Sequence, residues 1–375
     1  MKICVLTTGG TLGGHSANSS ANPDIQVLLN DALGGLYKNS SASQLNVDTK
    51  EVLDMDSTYL GPLEWKKIIG MVVNEYDNYD GFVITHGTNT LAFSAAALAF
   101  AFPALDKPVV FTGAQISLGM PGSDAMVNLQ NAVRVASSTN PSFMGVVVVF
   151  GSYIVAGVRA RKNSIFALDA FPAAGEGCLG RIGIDIKIDR HNLANHHANL
   201  DLNRNRSLKS KDLLVHSDFN VENILSINEF PGMRSNWWVE NTLRKIDVLK
   251  GNHGKDESPD GVILSSFGAG DSACRDFLEE LKTRRIPVVL TSQTSSGKVT
   301  MMENKPGEGL IHDGLAVPSY DMSLECLTVK FGWLLAHKLS YEEMKIQLTR
   351  NIRGEIEAPL FDTERNEGLP ELKAV

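Results

Sequence analysis

Six short apolar runs most restrict what this 375-residue chain can fold into: 3–7, 81–85, 109–112, 146–150, 262–265 and 287–291. They are rich in β-branched residues and almost continuously apolar. A strand covered on one face alternates apolar and polar residues. Continuous runs of this length read as strands of a parallel sheet covered on both faces. Helical patterns lie between them at 63–76, 91–102, 128–137 and 276–283, and Pro103 stops the second. Strands alternating with helices give an α/β class. The length admits two cores. The expected architecture is two domains, each a mostly parallel sheet flanked by helices, the N-terminal one larger.

Apolar periodicity weakens between 189 and 220, where Asn, His, Lys, Arg and Asp dominate. This stretch reads as a polar linker, with an N-terminal catalytic domain over 1–188 and a smaller C-terminal domain over 221–375. His191, His196 and His197 match no zinc-ligand spacing and read as part of the solvated linker, so no metal is expected.

The net charge of −8 disfavours a nucleic-acid partner, and no basic run suggests an anionic membrane surface. The opening apolar run is too short for a signal peptide, and the Ala-rich segment before Pro103 is too short to span a bilayer. Four scattered cysteines (Cys4, Cys178, Cys274, Cys326) read as reduced thiols. These features together predict a cytoplasmic protein.

Two motifs carry chemistry. Thr7-Thr8-Gly9-Gly10-Thr11-Leu12-Gly13-Gly14 follows the first run directly. Ligands of open α/β sheets bind outside the carboxyl ends of the strands, and glycines there offer backbone N–H groups to an anion or an oxyanion. A dinucleotide loop would need glycines at other spacings. A nucleophile loop built on Thr11 and a plain tight turn remain. The second motif is Thr85-His86-Gly87-Thr88-Asn89-Thr90, again between a strand and a helix, where anion-binding groups are favoured. Taken singly, Ser57, Thr58, Thr88 and Thr90 read as helix caps. His86 reads as structural, and Lys162 as part of a basic face with Arg159 and Arg161.

Jointly they read differently. TGGT at 8–11 and HGTNT at 86–90 resemble the two signature segments of the bacterial L-asparaginase family. Asp56-Ser57-Thr58, followed by Pro62-Leu63-Glu64-Trp65, resembles the family's substrate-carboxylate segment. Lys162 with Asp169-Ala170-Phe171 resembles its catalytic-lysine segment. The runs 291–299 and 351–355 resemble the second domain of the cytoplasmic, type I branch.

The resemblance implies an amidohydrolase releasing ammonia from L-asparagine to give L-aspartate. Thr11 would be the nucleophile, with Thr88 and Lys162 as a second catalytic pair. Gly10, Ser57, Thr58, Gly87 and Asn89 would bind the substrate. It implies no metal or organic cofactor, a small-molecule amide as partner, and a homodimer or homotetramer.

Three departures stand out. The family has Asp where this chain has Asn89. The lid beyond the glycine loop lacks the family's tyrosine; Tyr37 is the first, and His15 is the nearest polar candidate. Phe267-Gly268-Ala269-Gly270-Asp271 carries an acid where the family tends towards Asn. Asp271 is thus a candidate to replace the charge missing at Asn89, and Glu303 is a second candidate. Asn89 also raises an alternative substrate: a carboxamide lacking a free α-amino group. Gly268 to Asp271 further resembles the anion-hole and base segment of sugar kinases, which gives a phosphotransferase as the rival class.

Overall fold

The computed structural model describes residues 1–10, 45–138, 143–173, 177–200, 208–233, 238–239, 259–294 and 297–357. They divide into two compact units. The first spans Met1–Asp218 with Ile352–Gly354; the second spans Phe219–Asn351 and resumes at Glu355.

In the first unit the strands are β1 (Lys2–Thr7), β2 (Asn46–Glu51), β3 (Gly81–Thr85), β4 (Pro108–Thr112), β5 (Gly145–Phe150), β6 (Tyr153–Ala156), β7 (Cys178–Ile182) and β8 (Ile186–Ile188). They form one sheet in the order β2-β1-β3-β4-β5-β6-β7-β8. The first five are parallel; β5 to β8 are antiparallel. The sheet is flanked by α1 (Pro62–Glu75), α2 (Leu91–Ala101), α3 (Ala125–Ala136) and α4 (Arg190–Ala198).

Local sequence explains these helices. Pro62 opens α1, where its missing N–H costs nothing, and Glu64 accepts from Gly61 N at 3.2 Å. Trp65 Nε1 donates to Ser94 Oγ at 3.0 Å, fastening α1 to α2. α2 is apolar on every side and is buried almost throughout. α3 lays Leu129, Ala132 and Val133 on Val5, Val83, Val110 and Val147 of the sheet, which is this unit's core.

The second unit is a four-stranded parallel sheet ordered β12-β11-β10-β9. Its strands are β9 (Ile224–Asn228), β10 (Gly261–Ser266), β11 (Val288–Ser292) and β12 (Val317–Pro318). Helices α5 (Arg275–Thr283), α6 (Lys305–His312), α7 (Leu324–Ala336) and α8 (Tyr341–Thr349) accompany it. Phe277, Leu278 and Leu281 of α5 pack on Val262, Leu264 and Leu290.

The α/β class with a larger first sheet matches the sequence expectation. Several features differ from it, because β2, β6, β7, β8, β9 and β12 all lie outside the six expected runs. β2 was not expected, because Asn46–Glu51 is a polar, half-buried edge strand with no apolar run. The stretch expected as a linker folds in part onto the first unit. Asp189 caps α4 by accepting from His191 N and Asn192 N, and Leu193 and His196 are buried. Two buried residues in nine are too few to raise a helical period.

His196 Nε2 meets Met144 O at 2.9 Å. No group of three metal-binding side chains gathers among the described residues. The four cysteines are free. No helix of the described residues is long and apolar enough to cross a membrane.

Candidate active site

The order 2-1-3-4-5 reverses at β1, which has β2 on one side and β3 on the other. In open parallel sheets the crevice at the carboxyl ends of two such strands is where ligands bind. The loops leaving β1, β2 and β3 meet there. Gly9 and Gly10 have φ of +90° and +75°. A Cβ on Gly9 would lie 2.5 Å from Met55 N, and one on Gly10 would lie 2.8 Å from Gly87 Cα. A Cβ on Gly87 would lie 2.5 Å from Ser57 Oγ. Backbone conformation and contact therefore both require glycine at 9 and 10. The Thr8 hydroxyl donates to Thr85 O at 2.9 Å, and Met55 N donates to Thr8 O at 3.3 Å.

The structure brings together Gly10, Ser57, Thr58, Gly87, Thr88, Asn89 and Lys162. Thr90 stands at the N-cap of α2, but its hydroxyl makes no capping bond. Asp56, not Ser57, caps the turn at 57–59, accepting from Thr58 N at 2.8 Å. Ser57 is buried. Thr90 donates to Ser57 O at 2.6 Å. Thr58 Oγ1 accepts from Asn89 Nδ2 at 3.2 Å.

Lys162 does not lie on a solvated basic face. It is half-buried, and its Nζ donates to Thr88 Oγ1 at 2.8 Å and to Asn89 Oδ1 at 3.1 Å. Burial lowers its pKa from the ordinary lysine value. Both ends of the Asn89 amide are thus engaged, one by Lys162 and the other by Thr58.

His86 is fully buried beneath this loop. Its Nδ1 lies 2.7 Å from Gly87 O, its Nε2 has no partner among the described residues, and burial pushes its pKa down to about 4. It is a neutral structural imidazole.

Lys162 sits in a loop of its own between the paired residues Ala160 and Ala173. Sequence reading missed what surrounds this loop. Gln115, near the start of the loop after β4, reaches it with its side chain, and Asp124 and Asn128 organise the backbone around Gln115. The available signal was the polar break Thr112-Gly113-Ala114-Gln115 at a strand's carboxyl end.

Thr11, His15 and Tyr37 lie outside the described residues. Asp271 and Glu303 lie in the second unit. The Asp271 carboxylate accepts from Asn304 Nδ2 at 2.7 Å and Gly307 N at 3.3 Å, so it is spent on the entry to α6. Glu303 is exposed and accepts from Thr300 Oγ1 at 3.4 Å.

Comparison with known proteins bears on the whole chain. The N-terminal asparaginase domain model matches residues 2–194, and the glutaminase/asparaginase C-terminal domain model matches 242–347. The chain belongs to the asparaginase family. It is an amidohydrolase. L-asparaginase 1 of Escherichia coli K12 is 33% identical, over 80% of this chain and 82% of its own. The L-asparaginase of Thermococcus kodakarensis is 30% identical over 95% of this chain and 99% of its own. Its solved structure superposes with a TM-score of 0.76, at 28% identity, covering 96% of this chain and all of that one. A glutamyl-tRNA(Gln) amidotransferase component of Aeropyrum pernix is 29% identical, over 83% of this chain and 69% of its own.

Proposed function

We propose that this amidohydrolase hydrolyses L-asparagine to L-aspartate and ammonia with Thr11 as nucleophile. Thr11 Oγ attacks the carboxamide carbon, and the resulting tetrahedral oxyanion collapses by breaking the C–N bond. The nitrogen leaves as ammonia after taking up a proton, and an ester on Thr11 remains. Water adds to the ester, the C–O bond to Thr11 breaks, and the acid is released.

The observation that carries this reading is the contact of Lys162 Nζ with Thr88 Oγ1, 2.8 Å apart at the switch point of the sheet. A threonine hydroxyl is a poor nucleophile or proton carrier unless a base stands next to it. An ordinary lysine is protonated near neutral pH. Burial of Lys162 favours the neutral amine, which at the same position accepts the Thr88 proton. Ser57, buried beside Gly87 at this site, suits a substrate carboxylate. Backbone N–H groups near Thr11 and Thr88 would stabilise the oxyanion. The assembly is a homodimer or homotetramer in the cytoplasm, as in the type I branch the sequence resembles.

Asn89 supports a second reading, in which the substrate is a carboxamide without a free α-amino group. Its neutral amide is held by Lys162 and Thr58 and brings no charge to meet an ammonium. The phosphotransferase reading has little left to stand on, since the Asp271 carboxylate is already engaged by Asn304 and Gly307.

Ammonia release by the purified protein tests the proposal, with Thr11→Ala as the blank. Release from L-asparagine that vanishes in Thr11→Ala upholds both substrate and nucleophile. Release that persists in the variant removes Thr11 from the chemistry. No release from L-asparagine, with release from succinamic acid (the same amide without the α-amino group), upholds the second reading.

A further inference from the structure

The loop that carries Lys162 is anchored at its far end by the buried Ala170 and Phe171, the latter packed on Phe150, but its tip has no such apolar anchorage. Ile165 and Phe166 are 92% and 94% exposed, and Leu168 is 46% exposed. The tip's apolar side chains face outward, so its shape around Ser164 and Ala167 rests on polar contacts. Those contacts come from two neighbouring turns. On one side, Gln115 Nε2 donates to Ser164 O at 3.1 Å and to Ala167 O at 3.2 Å. On the other, Ser152 N donates to Asp169 Oδ1 at 2.8 Å. Within the loop, Asn163 N donates to Ala170 O at 2.9 Å.

Both neighbouring turns are tied to one buried residue. Asn128 Nδ2 donates to Gly113 O at 3.0 Å and to Asp124 Oδ2 at 2.9 Å, while its Oδ1 accepts from Gly151 N at 3.0 Å. Asp124 in turn accepts from Gln115 N at both oxygens and from Ile116 N at 2.9 Å. The Gln115 backbone is therefore fixed before its side chain reaches the lysine loop.

We infer that Gln115 is a positioning residue, whose paired donation to the Ser164 and Ala167 carbonyls holds Lys162 against Thr88. The inference rests on the proposed role of Lys162. A reacting group displaced by about 1 Å loses on the order of a hundredfold in rate. A tether within two to five residues of Lys162 is well placed to prevent such a displacement. It also keeps the amine half-buried: a loosened loop lets Nζ reach water, and hydration favours the ammonium.

Two unbranched replacements of similar length separate donation from bulk. Gln115→Met keeps the volume and removes the donors, whereas Gln115→Lys keeps a donor for the two carbonyls. The first readout needs no substrate. Competitive acetylation of the full-length protein across pH, with mass spectrometry of the Lys162 peptide, gives the pH at which Lys162 is half-reactive. That midpoint should rise in Gln115→Met towards the value of exposed lysines. The second readout is ammonia release. In Gln115→Met, kcat should fall about tenfold with KM nearly unchanged, and in Gln115→Lys kcat should stay within about threefold of wild type.

A Lys162 midpoint in Gln115→Met equal to wild type would overturn the inference, whatever the activity. Lys162→Met locates the failure. If it is as active as wild type, the base reading falls. If it is inactive while Gln115→Met keeps wild-type kcat and midpoint, the tether alone falls.

Discussion

Asn89 answers two demands at once. Its Oδ1 is 3.1 Å from Lys162 Nζ, and its Nδ2 donates to Thr58. A carboxylate in the same place would attract the lysine's charge and favour its ammonium form. The neutral amide leaves burial as the cause of the Lys162 shift, and burial lowers it. Asn89→Asp should therefore move the acidic limb of the kcat/KM profile to higher pH. It should also supply a counter-charge for an α-ammonium. The preference for L-asparagine over succinamic acid should then rise about 10- to 150-fold, the worth of a charged hydrogen bond. An unmoved acidic limb would show that Lys162 does not report the rate-limiting base.

Gly10 makes a different demand, a steric one. Its φ of +75° and the 2.8 Å approach of an added Cβ to Gly87 Cα leave no room for alanine. Gly10→Ala should cost about 1–3 kcal/mol of stability from the strained backbone. It should also part the loops of β1 and β3, lowering kcat. Urea unfolding and ammonia release read the two effects, and an unchanged midpoint would refute the steric argument.

Among the elements, legibility needed burial and length together, since the buried β6 is only four residues long and was not read. The strands at 81–85, 109–112 and 146–150 announced themselves, because each is covered on both faces and spells a continuous apolar run. β2 stayed silent, since an edge strand half-open to water can be Asn-Val-Asp-Thr-Lys-Glu and still complete a ladder with β1. The site divided in the same way. Thr88, Asn89 and Lys162 were legible as motif residues, but their 2.8 and 3.1 Å contacts join residues more than 70 positions apart. Gln115, Asp124 and Asn128 were not legible, because isolated polar residues carry no pattern and only the fold gives them partners.

The ion pair between Lys330 of α7 and Glu355 is another such case. Both side chains are wholly buried and 2.7 Å apart, and Lys330 also donates to Leu348 O at 3.1 Å. Lys330→Met should destabilise by about 3–5 kcal/mol, because Glu355 stays buried after losing the ammonium beside it. Adding Glu355→Leu should recover most of that loss. Equal instability of single and double variants would mean that the lysine's bonds to backbone carbonyls, rather than the pair, hold the segment.

At the scale of the whole molecule, two buried histidines should set the response to mild acid. His86 and His196 are each held by one backbone carbonyl, and burial pushes both to about 4, below the usual histidine value. The unfolded chain takes up protons at these rings from about pH 6.5 downwards, while the folded chain does not until about pH 4. Their contribution to stability is complete above that window and is lost as pH falls through it.

The carboxylates with lowered pKa, such as Glu75 bonded to Lys50 and Asp56 bonded to Thr58, act in a separate window. Their stabilisation is present above the usual carboxylate range and disappears below it. Between about pH 6.5 and 4.5 the histidines should therefore dominate, and the melting temperature should fall steadily across that interval at constant ionic strength. His196→Gln isolates one of them, since glutamine can still donate to Met144 O and suits the helix α4. That variant should melt near wild type at about pH 7.5 and lose less over the acid interval. A wild-type melting temperature that stays flat over this interval would mean that neither ring is kept neutral by burial. Parallel curves for wild type and His196→Gln would exclude His196 as a source of the acid response.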